Sequence, residues 1–171
     1  DSSLVDFNKR IDRFIGKYYS SFNVVQSALN SWEGADFNLS DYSRLGMHRL
    51  VTLKRKTSYK NKYGQTIYQR LYLRFLHFDN EAMCTSASEG VIRYFGWNPA
   101  SLRYGDIIKS EIITPTILIV SKHDIVVCRI DCGHENSFWG KFKLDLQDTF
   151  GNATTGAIVA ECGGPIVFRL Y

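Results

Sequence analysis

Leu4-Val5-Asp6-Phe7-Asn8-Lys9-Arg10-Ile11-Asp12-Arg13-Phe14-Ile15-Gly16-Lys17-Tyr18-Tyr19-Ser20-Ser21-Phe22 places apolar residues at three- and four-residue steps, and Val25 and Leu29 continue the series. Asn8, Lys9, Asp12, Arg13, Lys17, Ser20 and Ser21 fall on the opposite side, so the pattern is an amphipathic helical stripe that must cover a sheet. Ser3 followed by Asp6 is an N-terminal cap signal, and residues 31–34 are a stop signal. Gly16 is the weak point, costing about 1 kcal/mol relative to Ala inside a helix. If the chain breaks there, the second half of the stripe is a first strand and the sheet can close into a barrel. If it does not, a long helix crosses an open sheet.

The rest of the chain reads mostly as strand. Met47 to Tyr59 and Thr66 to Phe78 flank a turn at residues 60–64 and form a long hairpin, with Ile67, Leu71, Leu73 and Phe75 on one face and Tyr68, Arg70, Tyr72 and Arg74 on the other. Residues 79–90 read as a connection or short helical turn, and Val91 to Trp97 as a short strand. Asp106 to Ile113, Thr116 to Val120 and Ile125 to Ile130 follow as strands, the last after a tight Ser121-Lys122-His123-Asp124 turn. Ser137 to Phe150 fits two periods. Phe138, Phe142, Leu146 and Phe150 repeat as a helix, Phe142, Leu144 and Leu146 alternate as a strand, and the strand is preferred. Ala157 to Tyr171 reads as strand, bent near residues 163–165. The expected fold is mainly β (α+β): a strongly curved antiparallel sheet or closed barrel with an N-terminal amphipathic helix, forming a single domain over residues 1–171.

Composition agrees with that class. The 171 residues are 44% hydrophobic, 22% charged and 14% aromatic with three prolines, which suits long strands. No run of about 18 apolar residues exists to span a bilayer, and the charges in the N-terminal segment exclude an uncleaved signal peptide. The start at Asp1 without Met fits a processed or a trimmed chain. Four cysteines and the glycosylation sequons at Asn38 and Asn152 point towards a secreted glycoprotein. Cys128 and Cys132 have no second Cys/His pair at zinc spacing, so neither a metal nor another cofactor is expected.

No Gly-x-Ser-x-Gly elbow, phosphate loop, dinucleotide fingerprint or His-Glu-x-x-His motif occurs, and no catalytic residue is assigned. His123 beside Asp124 reads as a polar turn rather than an acid/base pair, because neighbours on a strand point to opposite faces. Charge is regional. Between Asp41 and His77 there are nine Lys/Arg against one acid, although the whole chain carries only +4. Lys54, Arg55, Lys56, Lys60 and Lys62 near the hairpin tip, with Tyr68, Arg70, Tyr72 and Arg74 along one strand face, form a candidate anion- or partner-binding surface. Phe75, Phe78, Tyr94, Phe95, Trp97 and Trp139 are candidates for lining an interior ligand cavity.

Gly16-Lys17-Tyr18-Tyr19, after a short helix and before a series of strands, resembles the Gly-x-Trp that opens the first strand of lipocalins, and Ser121-Lys122-His123-Asp124 echoes that family's Thr-Asp-Tyr turn. The resemblance implies an eight-stranded barrel carrying an apolar small molecule. It also implies a disulfide between Cys84 and Cys162, worth roughly 4 kcal/mol in the chain-entropy model, with Cys128 and Cys132 paired locally or free. Phe14-Ile15 to Phe22 is also similar to the Phe-Ile-x-x-Tyr-Tyr-x-x-Phe run in the first helix of the nuclear transport factor 2 family, which implies a helix continuing through Gly16. The leading functional expectation is a secreted, non-enzymatic, lipocalin-like carrier or scavenger of a small amphipathic ligand. The alternative is an interaction module, such as a viral or effector component, whose basic hairpin binds nucleic acid or an anionic protein surface.

Overall fold

The computed structural model describes residues 2–28, 45–94, 107–108, 114–151, 156–163 and 166–170. Helix α1 spans Ser2–Gly16 and buries Phe7, Ile11, Phe14 and Ile15, the inner edge of the expected stripe. Its start at Ser2 puts Ser3 inside the first turn rather than at the cap. The chain does break at Gly16. Lys17 N donates to Phe14 O and Tyr18 N to Ile15 O, tightening the last turn, and strand β1 (Phe22–Ala28) follows. The stop signal at residues 31–34 lies outside the described residues.

Strands β2 (Leu45–Arg55) and β5 (Arg70–Phe78) form the expected hairpin, extended at its tip by the two-residue strands β3 (Tyr59–Lys60) and β4 (Thr66–Ile67). At the tip, Asn61 Oδ1 accepts the backbone N–H groups of Tyr63 and Gln65, and Gly64 takes φ +75°, a conformation that favours glycine. Strands β7 (Thr116–Val120) and β8 (Asp124–Ile130) match the expected segments. The strand expected over Asp106 to Ile113 is described only as β6 (Ile107–Ile108).

One expected strand is a helix, and the described part of another, residues 91–94, ends a helix. Helix α2 (Glu81–Tyr94) includes Val91, which with Cys84, Ala87 and Ser88 makes a buried stripe at helical spacing. The small residues in that stripe let the helix lie close to the sheet, and Asn80 Oδ1 caps it by accepting Met83 N. Helix α3 (Asn136–Phe150) buries Trp139, Phe142, Leu146 and Phe150, while Leu144 is 60% exposed. The four-residue period was therefore the true one. The final segment is a hairpin of β9 (Gly156–Ala160) and β10 (Ile166–Leu170) rather than one bent strand.

The described strands build one antiparallel sheet in the order β1-β2-β5-β8-β7-β9-β10-β6, with β3 and β4 as a separate ribbon. The sheet is open and not strongly curled, with β1 and β6 at its edges and no pairing between them among the described residues. The antiparallel, mainly β part of the expectation holds, while closure and strong curvature are not found among the described residues. Two helices pack on one face of the sheet. On that face α1 and α3 bury a core centred on the row Val51–Leu73–Cys128–Ile117–Val159, which runs in register across five strands. Phe75, Phe150, Phe7, Phe14 and Phe142 pack there ring against ring, with Phe75 and Phe150 centroids 5.5 Å apart. The opposite face carries a smaller core under α2, containing Leu76, Phe78, Leu118, Ile125, Val127 and Ile158.

Candidate functional site

The sheet face that carries α2 also presents a basic strip. Residues paired across a ladder share a face. The row Val25–Thr52–Tyr72–Arg129–Thr116 therefore crosses this face from β1 to β7, and Lys54–Arg70 and Leu50–Arg74 are the flanking pairs. Tyr72 has Arg70 and Arg74 two positions away on its own strand, at roughly 7 Å spacing. Arg129 stands directly opposite it, and Lys54 is diagonal to it. Val25, Tyr68 and Tyr72 are 64%, 50% and 41% exposed. Lys54 Nζ lies 5.4 Å from the Tyr68 ring centre, close enough for a cation–π contact.

Lys54 and Arg70 oppose each other directly. Such a like-charge pair is locally unfavourable, and among the described residues neither makes an ion pair with a carboxylate. Arg74 and Arg129 are half-buried, and burial lowers the pKa of both, with the Asp131 carboxylate pulling Arg129 back up. They remain cations. Burial, with Arg74 nearby, pushes the pKa of His48 down to about 4, so this imidazole is neutral at pH 7. The strip's positive charge therefore comes from Lys and Arg alone.

The expected surface is thus split by the sheet. Lys54, Tyr68, Arg70, Tyr72 and Arg74 come together, and Arg129 joins them unforeseen, because its neighbours in sequence give no hint of its register with Tyr72. Arg55 points to the other face. It pairs with Glu135 at 3.0 Å and stacks on Phe138, and together with Ser137 it holds the Glu135 carboxyl below its usual range. Lys56 donates to Tyr19 O, Lys60 lies on the tip ribbon, and Lys62 covers Tyr63.

The described members of the expected cavity lining divide between the two cores. Phe75 and Trp139 belong to the core beneath α1 and α3, and Phe78 to the core beneath α2. Trp139 also donates its indole N–H to Glu161, which pairs with Lys143. Tyr94 ends α2 but its side chain is outside the described residues, as are Phe95, Trp97 and both sequon asparagines, Asn38 and Asn152.

The disulfide joins Cys162 to Cys132, not to Cys84. Cys132 and Cys162 stand in exposed turns, whereas Cys84 is buried on the inner side of α2 with its thiol donating to Ser121 O. Burial pushes the Cys84 thiol up to about 12 and the Cys128 thiol well above its ordinary value, so both stay protonated and poorly nucleophilic.

A second polar cluster was missed because its members come from three distant segments. Buried His77 Nδ1 lies 2.7 Å from Asp124 Oδ1, and Arg10 of α1 donates to Asp124 Oδ2 at 3.2 Å. His123 does not pair with Asp124; its ring stacks on His77 with centroids 6.1 Å apart. His77 has no solvent exposure, and the trio ties α1 to the end of the sheet. Among the described residues no group of three or more His, Cys, Asp or Glu could hold a metal ion, and no helix is long and apolar enough to cross a membrane. Against family models, curated proteins and solved structures alike, the chain finds no match.

Proposed function

We propose that this protein is a non-enzymatic binding module that recognises single-stranded nucleic acid on the exposed part of its sheet. The carrying observation is Tyr72, an exposed ring surrounded in register by Arg70, Arg74, Arg129 and Lys54. A flat aromatic ring offers a stacking platform to any base, and cations on both sides follow the phosphates, the combination used by sequence-tolerant single-strand binders. The opposed Lys54 and Arg70 favour the same reading, because a polyanion relieves their repulsion. The disulfide supports a place in an oxidising compartment, such as the outside of the cell.

The test is fluorescence anisotropy with a labelled single-stranded oligonucleotide across a salt series. Affinity is expected to fall steeply with salt and to drop in Tyr72→Ala at constant salt, since the ring contributes stacking rather than charge. Equal affinity for a linear sulfated polysaccharide, with no effect of Tyr72→Ala, would overturn the nucleic-acid reading. Of the aromatic lining expected for a carrier, Phe75, Phe78 and Trp139 lie in the two cores, while one groove favours a small-ligand role.

A further inference from the structure

Beside α2, on the part of the sheet away from the basic strip, lies a groove of about 400 Å³. That is the lower end of small-ligand pockets. One wall is a single stripe of α2, Glu81, Thr85, Ser88 and Ile92, at helical spacing. The floor and facing wall come from Val120, Ser121 and Lys122 at the end of β7 and from Gly156 and Ile158 of β9. Gly156 is in register with Val120, so the sheet has no side chain at that point of the floor.

The polarity of this groove is graded. Its apolar surface is Ile92, Val120 and Ile158, which also border the core under α2. Its polar mouth is built where the first turn of α2 meets the β7–β8 turn, two segments tied together by the Cys84 thiol donating to Ser121 O at 3.3 Å. Glu81 and Lys122 stand on the two sides of that junction, both exposed. They carry opposite charges, yet among the described residues neither makes an ion pair with the other or with any third group. Thr85 and Ser121 add hydroxyls along the wall, with Ser121 Oγ held by Asp124 O. Lys122 also borders a neighbouring cleft of about 240 Å³ that contains Asp6 and Arg10.

We propose that this groove binds a small zwitterion with an apolar tail, in the class of a free hydrophobic α-amino acid. The ammonium faces Glu81, the carboxylate faces Lys122, and the side chain lies over Ile92, Val120 and Ile158. A fatty acid leaves Glu81 facing its carboxylate, and a simple amine leaves Lys122 facing its ammonium, so the zwitterion is the one class that satisfies both. The inference does not depend on the basic strip.

Isothermal titration calorimetry of the intact, oxidised protein tests it with L-phenylalanine and L-leucine against N-acetyl-L-phenylalanine, phenethylamine and glycine. The two amino acids are expected to bind at least about tenfold more tightly than each analogue, because each analogue lacks one charged contact or the tail. Lys122→Ala should remove the discrimination against phenethylamine, and Glu81→Gln the discrimination against the acetylated compound. Thr85→Trp, which fills the groove from an exposed position, should abolish amino-acid binding while circular dichroism stays unchanged. Equal binding of analogues and amino acids, or no binding of either amino acid at millimolar concentration, overturns the proposal. So does full binding by a folded Thr85→Trp protein.

Discussion

Tyr72 and Arg129 stand directly opposite each other across the β5–β8 ladder, on the same face as Lys54, Arg70 and Arg74. Arg55, adjacent in sequence to Lys54, is on the reverse face and neutralised by Glu135. The sheet thus sorts cations that look equivalent in sequence into a strip and a structural pair.

That sorting predicts a mutational contrast. Arg129→Gln and Arg70→Gln should each weaken oligonucleotide binding several-fold and reduce the salt slope by about one. Arg55→Gln should leave the slope unchanged and instead lower stability by about 1 kcal/mol or less, since its ion pair with Glu135 is partly exposed. Anisotropy across a salt series separates the outcomes, and an unchanged slope for Arg129→Gln counts against the strip.

The break after α1 is held by tertiary contacts rather than by glycine's freedom. Gly16 does not take positive φ, and a Cβ built on it meets nothing within 4 Å. The next two residues grip α3: Lys17 Nζ pairs with Asp145 Oδ1 at 2.6 Å and Tyr18 donates to Asp145 Oδ2 at 2.7 Å. Gly16→Ala should therefore stabilise the protein by about 0.5 kcal/mol, whereas Asp145→Ala should destabilise it by about 1–2 kcal/mol. Urea denaturation measures both, and a destabilised Gly16→Ala protein shows that the glycine itself is required.

Stability should fall as the solution is acidified through the range of His48. Its folded-state pKa is pushed down to about 4, while the unfolded chain takes up the same proton near the ordinary value of 6.5. Between those two values the unfolded state binds more protons, so stability present above pH 6.5 is progressively lost down to about pH 4 and then levels off. Thermal melts of His48→Gln across pH 4–7 should show a shallower loss than the parent protein, and identical profiles would exclude His48 as the source.

The disulfide ties the turn before α3 to the turn after β9 across a sequence separation of 30. In the chain-entropy model that loop is worth about 3.5 kcal/mol. Cys132→Ser/Cys162→Ser should lose up to that amount, and Cys84→Ser should leave the cross-link intact. Thiol titration of the oxidised protein should find Cys84 and Cys128 unreactive when folded and both reactive in denaturant. Peptide mapping that linked Cys84 to Cys162 would refute this assignment.

Features that a single element carries in its own period are legible in the sequence. The stripe of α1, the β2–β5 hairpin with its two distinct faces, and strands β7 and β8 all follow from side chains within a few residues of one another. The regional basic charge was equally legible. Short apolar runs were not, because Phe142-Lys143-Leu144-Asp145-Leu146 satisfies both a strand and a helix until packing decides whether Leu144 is inside or out. It is out, because α3 must lie beside α1 on the sheet and bury Trp139, Phe142, Leu146 and Phe150. Helix α2 was hidden for a related reason: its small buried residues make a weak apolar signal and act only once a sheet lies beneath them. The partner of Cys162, the meeting of Arg10, His77 and Asp124, and the placing of Arg129 beside Tyr72 depend on register between segments far apart in the chain. Local propensity carries no information about that register. That register is set when the strands pair and helices pack on both faces of the open sheet.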